Sequence, residues 1–199
     1  MLESLEKENN VIEINSVDSL KEMLEEHSID TYLFGKNNAK RLEDLFDEVK
    51  NKETELVKEG DSIFRKINAL SISVNYSKNQ RKFVLVEDKQ VFSDGRERQR
   101  SPISSLSEKL KNGENIDEEI NRALFEELGI KNKYDGIFLG EVKEEKESGS
   151  YPGLLTQYSF LKYQIFLEDE DFKEEGYIEN EPSTGLTTYF VWKEIGLEK

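Results

Sequence analysis

Glu114-Asn115-Ile116-Asp117-Glu118-Glu119-Ile120-Asn121-Arg122-Ala123-Leu124-Phe125-Glu126-Glu127-Leu128-Gly129-Ile130 is the stretch whose pattern says most about the fold. Asn115 carries a short side-chain oxygen that accepts from the free N–H groups of a first helical turn, and Glu118, three residues on, completes a capping-box-like start. Gly129 lacks a Cβ and suits the left-handed position just past a helix end. The spacing predicts a helix from Asn115 to Leu128. Along it Glu119, Ala123 and Glu127 stand four residues apart and share one face. Glu118, Arg122 and Glu126 form a second row. If that row were only a solvated surface, each ion pair in it would contribute about 0.3 to 0.5 kcal/mol.

The segment resembles the Nudix box, written G-x5-E-x7-R-E-U-x-E-E-x-G-U with U an apolar aliphatic residue. Glu114 matches the first Glu, Arg122 the Arg, Leu124 the first U, Glu126 and Glu127 the Glu pair, Gly129 the Gly and Ile130 the last U, seven of nine defined positions. The opening Gly is Glu108 here, although Gly113 precedes Glu114. The Glu expected after Arg122 is Ala123. The resemblance implies an α/β (α+β) fold, a mixed β-sheet sandwiched between helices, over about residues 65 to 195. It also implies Mg²⁺-dependent chemistry on a diphosphate, with Glu114, Arg122, Glu126 and Glu127 as catalytic residues and Glu126 and Glu127 as metal ligands; Glu119, one turn earlier on the same face, is the further candidate ligand that this sequence offers.

Ala123 alters that expectation. Mg²⁺ takes hard oxygen ligands, and carboxylates four apart on a helix project toward one ion. A methyl group in the middle of that row removes an anion, so affinity and transition-state charge stabilisation both fall. Glu119 is a possible substitute, as are Glu141, Glu144, Glu145 and Glu147. The expected protein is a degenerate Nudix-like domain that binds a nucleotide, another phosphorylated ligand or a protein partner, with weak or lost hydrolysis. The alternatives are a working Mg²⁺-dependent pyrophosphohydrolase of nucleoside diphosphates linked to another moiety, and a structural subunit. Lys109 and Lys111, just before Glu114, are candidate phosphate contacts. Tyr151, with Tyr158, Phe160 and Tyr163, offers rings for base stacking, against an ordinary packing role.

Upstream, Ser16 or Asp18 can cap a helix whose apolar stripe is Val17, Leu20, Met23 and Leu24, with His27 at its end. Asn37 or Asn38 opens a second helix, with Leu42, Leu45, Phe46 and Val49 inward and Lys40, Arg41, Glu43, Asp44 and Glu48 outward. Residues 1–62 are read as a helical extension packed on a Nudix-like domain of 63–199. Phe34-Gly35-Lys36, Ala39-Lys40, the segment 105–114 and the Ser150-Tyr151-Pro152-Gly153-Leu154 turn are similar to an uncharacterised Nudix-like branch carrying such an extension. Residues 69–76 alternate as a half-buried strand. Glu87-Asp88-Lys89 reads as a hairpin connection and Asp94-Gly95 as the next turn. Strand-like runs follow at 137–142, 157–167 and 188–192, with the charged stretch 143–149 as an interruption and 168–181 as an acidic loop.

The composition excludes several chemistries. The absence of cysteine removes disulfides, zinc thiolates and thiol catalysis, and the single His27 leaves little for imidazole schemes. A net charge of −15 disfavours nucleic acid and anionic membranes, although Arg96, Arg98 and Arg100, with Lys78, Arg81 and Lys82, mark a possible basic patch. No run reaches membrane-spanning length and no signal peptide is evident, so a soluble, cytoplasmic or otherwise intracellular protein is expected.

Overall fold

The computed structural model describes residues 10–37, 39–99, 105–111, 113–182 and 184–197. Arg100 of the basic run and Asn38, one of the two cap residues considered, lie outside them. The protein is α+β and dominated by sheet, with three α-helices among the described residues. It forms two compact units. The first draws on the described residues of Met1–Asn68, Lys109–Asn112 and Lys143–Ser159. The second draws on those of Ala69–Glu108, Gly113–Val142 and Phe160–Lys199. The units cut the chain elsewhere than at residues 62 and 63, because the apolar faces of the N-terminal helices share their core with residues far along the sequence.

That core is Leu20, Leu24, Ile29, Phe34, Leu45, Leu56, Ile63, Tyr151 and Leu154. Each fully buried Leu contributes about 1.5 to 3 kcal/mol. Helix α1 (Val17–Glu26) starts at Ser16, whose side chain accepts from Ser19 N–H at 3.1 Å in a capping box. Its apolar stripe buries Leu20 and Leu24 completely. His27 ends it, with Nδ1 at 2.8 Å from the Met23 carbonyl. Helix α2 (Leu42–Lys50) begins later than the asparagines suggested. Arg41 is its N-cap residue, and Asp44 accepts from the Arg41 N–H at 2.8 Å. Glu48, expected on the outer face, is buried, because it meets three cations described below. Strand β1 (Asn10–Val11) pairs antiparallel with β2 (Glu55–Glu59), which forms a hairpin with β3 (Ser62–Lys78). The first 62 residues are therefore not wholly helical.

In the second unit β3 turns into β4 (Arg81–Val91) through Asn79 and Gln80, whose φ angles of 51° and 65° fit the primed two-residue turn that matches strand twist. Glu87-Asp88-Lys89 does not form a turn. It continues β4, because β10 (Leu186–Leu197) supplies backbone partners along the whole strand and absorbs the polar run with a bulge at Tyr189/Phe190. The Asp94-Gly95 turn leads to β5 (Glu97–Arg98), which pairs with β4. Residues 69–76 are buried on both faces rather than half-buried. Their polar members are satisfied internally: Asn75 Nδ2 donates to the Ile165 carbonyl at 3.2 Å, and Ser105 Oγ accepts from Val74 N–H at 2.9 Å.

Strand β6 (Leu106–Leu110) pairs with β3, as does β8 (Leu155–Phe166), and β7 (Ile137–Glu147) pairs with β8. The charged stretch from Lys143 thus extends β7 instead of interrupting it. Strand β9 (Tyr177–Glu181) lies on β10, so the end of the expected acidic loop is ordered sheet. The cause is aromatic: Phe172 stacks on Tyr76 at 3.7 Å between ring centroids, and Trp192 packs on both Phe172 and Tyr177. No helix among the described residues is long and apolar enough to cross a membrane.

Candidate carboxylate site

Helix α3 (Ile116–Leu128) belongs to the second unit and has the ends the sequence predicts. Asn115 accepts from Asp117 N–H at 3.0 Å, and Gly129 takes φ 70°. Contacts that the sequence does not announce fix its position. Asn121 Nδ2 donates to the Tyr134 carbonyl at 2.9 Å and its Oδ1 accepts from Tyr134 N–H at 2.8 Å, a two-point clamp. Tyr134 in turn donates its hydroxyl to Asp171 at 2.6 Å. At Gly136 an added Cβ would collide with Ile120 and Tyr163, so the chain leaving the helix passes directly over it. The helix lies along β9.

The row Glu119, Ala123, Glu127 is the sheltered side of the helix. Ala123 is wholly buried at 0% exposure, so its methyl group is core. Glu119 already has a cationic partner in this arrangement. It is buried and held by Arg122, which donates from Nε at 2.9 Å and also from Nη2. Arg122 reaches Glu126 at 3.0 Å and lies 3.8 Å from Glu108 of β6. Its hydrogen bonding to Glu119 raises the guanidinium well above its usual range, which keeps it charged. Glu126 is exposed, and Glu114 is half-buried just ahead of the cap.

Glu127 is the perturbed group. Burial, followed by the charges of Glu179, Glu108, Glu87 and Glu126, pushes its carboxyl up to about 8. Burial first also raises Glu108, against the lowering charge of Arg122 and with Glu126, Glu119 and Glu179 adding to it. Burial first raises Glu179 of β9 too, against a hydrogen bond from Thr188 and with Glu181, Glu87 and Glu126 adding to it. Glu87, Glu108 and Glu179 escaped the sequence reading. Glu87 lay in an assumed turn, Glu179 in an assumed loop, and Glu108 counted only as a departure from the motif's Gly. The aromatic and β-branched pair Tyr177-Ile178 was a signal for a strand there.

The substitutes considered on β7 lie elsewhere or are engaged. Glu144 pairs with Lys146 at 3.2 Å, Glu145 accepts from Gln157 at 3.3 Å and Glu147 from Gly153 N–H at 2.8 Å, all in the first unit. Glu141 is exposed on the part of β7 that belongs to the second unit. The donor chemistry around Glu127 suits a hard cation, but among the described residues no three carboxylates or imidazoles stand at metal-ligand spacing. A cation would have to draw them together.

The expected phosphate contacts and Tyr151 fall in the first unit. Lys109 lies 3.8 Å from Glu48 and 3.9 Å from Glu53, and Lys111 is exposed. Tyr151 is a core residue, tilted against Phe34 with centroids 5.5 Å apart, and presents no ring face to a base. Tyr163 packs on Phe138 in the same way, and Tyr158 lies under Lys146. Of the basic run, Arg96 is neutralised by Asp94 at 2.7 Å and Arg98 donates to Gln90, with both guanidiniums near the Phe92 ring.

No family model matches the chain, and no curated protein matches it. Among solved structures it is similar to the solution structure of the E. coli ORF135 protein, with 12% identity, over 50% of this chain and 60% of that chain, at a TM-score of 0.26, a likeness too slight to carry an argument.

Proposed function

We propose that the second unit is a degenerate Nudix-like domain that holds a phosphorylated ligand, a nucleotide included, through a weakly bound divalent cation, with hydrolysis slow or lost. What carries this reading is the raised carboxyl of Glu127 on α3, to which, after burial, the charges of Glu179 in β9, Glu108 in β6 and Glu87 in β4 contribute. Like charges crowded in a half-buried place cost free energy that a cation relieves, and such crowding is more common at functional sites than elsewhere. Glu127, Glu179 and Glu108 are the residues that would hold Mg²⁺, whose chemistry is to neutralise phosphate oxygens. Slow or lost turnover follows from Ala123, from Arg122 occupying Glu119 and Glu126, and from ligand spacing that is not preformed.

The test is Mn²⁺ titration of the full chain, read by water-proton relaxation, beside Glu127→Gln. Saturable binding that weakens about tenfold or more in the variant, a loss of about 1.4 kcal/mol, supports the reading. Absence of saturable binding, or equal binding by the variant, removes it. Turnover of a nucleoside diphosphate derivative with Mg²⁺ that Glu127→Gln abolishes would instead establish the active-enzyme alternative.

A further inference from the structure

In the first unit, Glu48 of α2 is buried at 6% side-chain exposure and gathers three cations. Lys40 Nζ lies 2.6 Å from Oε1, Lys109 Nζ lies 3.8 Å from the same oxygen, and Arg65 of β3, itself 4% exposed, donates to Oε2. Burial alone would raise the Glu48 carboxyl, but the hydrogen bond from Lys40 and the charge of Arg65 hold it below its ordinary value, so it stays ionised. Three cations converge on this one carboxylate, with Glu53 3.9 Å from Lys109 and the charge of Asp44 acting on Lys40. Such a convergence stands out in a chain of net charge −15.

The hydrogen bonding points the same way. Arg65 Nε is buried without a hydrogen-bond partner, and the guanidinium lies 5.1 Å from the Tyr151 ring centroid. Burial first, and then the Glu48 charge and a hydrogen bond to it, raises the Tyr151 hydroxyl above its usual range, so it keeps its proton. An unmet donor at a buried site calls for an acceptor. At the rim, Lys40 and Lys109 are 46% and 44% exposed, and their ammonium groups are held together on one carboxylate oxygen with donor capacity left over.

We propose that Lys40 and Lys109 form a clamp for a phosphate group, free or esterified, with Glu48 as the internal anion that positions both ammoniums. A lysine pair fixed by a buried carboxylate has lost much of its side-chain entropy before the ligand arrives, which favours binding. Nothing in this site depends on α3.

The experiment is calorimetric titration of the full chain with inorganic phosphate at constant ionic strength, repeated with a simple phosphate monoester and with chloride. Lys109→Gln leaves Lys40 and Arg65 on Glu48 and should weaken phosphate binding about tenfold, as loss of a charge-assisted contact requires. Glu53→Gln removes the competing anion and should tighten it about threefold or more, a gain that a purely structural cluster would not show. Whichever of phosphate and monoester binds more tightly identifies the source, and either supports the clamp. No saturable binding of either, chloride binding equally well, or an unchanged affinity in both variants overturns it.

Discussion

Replacing Glu127 by Gln keeps the shape of the side chain and deletes one negative charge from the crowded cluster. Its carboxyl stands at about 8 in the folded chain against 4.5 when free in water. The folded state therefore keeps a proton that the unfolded chain has already released across that interval, and stability falls as pH rises from about 4.5 to about 8. Below the interval both states are protonated and the group costs nothing; above it the full cost is present. At about 1.4 kcal/mol per pH unit, the span from 4.5 to neutrality sets an upper limit of about 3 kcal/mol. Partial contact with water and sharing among Glu179, Glu108 and Glu87 bring this to about 1 to 2 kcal/mol. Glutamine carries no charge at any pH, so Glu127→Gln should match the parent near pH 4 and exceed it by about that amount near pH 7. Chemical denaturation of both proteins in metal-free buffer across that range measures the difference directly. A difference that does not grow with pH, or a variant less stable than the parent at the alkaline end, would refute the electrostatic account of the cluster.

Restoring the motif's Glu by Ala123→Glu should place a carboxylate in packed core and cost about 2 to 4 kcal/mol, measured by thermal unfolding. A variant of undiminished stability would mean that the position opens onto a cavity after all. Gly176→Ala should lose at least about 2 kcal/mol, because φ is 83° there and the new Cβ would strike the Phe190 carbonyl oxygen that anchors β10; unchanged melting would contradict this. Glu48→Gln leaves Arg65 buried without its anion and should cost about 3 to 5 kcal/mol by denaturant titration. Glu48→Leu combined with Arg65→Met should recover much of that loss, since the charge left unpaired is what destabilises the single variant.

Much of the local structure was written into the chain by itself. Ser16, Asn115 and Gly129 mark helix ends because capping and left-handed geometry act within a few residues, and Leu20, Leu24 and Leu45 face inward because a 3.6-residue period aligns them. Arg122 meets Glu119 and Glu126 for the same reason: residues three and four apart on a helix are neighbours whatever the rest of the chain does. What the sequence left open depends on partners distant along the chain. Glu87, Glu108 and Glu179, from β4, β6 and β9, add their charges to the environment of Glu127 only through the tertiary fold. Glu48 looked like surface until Arg65 and Lys109 arrived from other strands, and the acidic run before Glu181 looked like loop until Phe172 and Trp192 stacked. Local rules place a side chain on a face, whereas its burial, its charge state and its partners are fixed by long-range pairing that no short window of sequence contains.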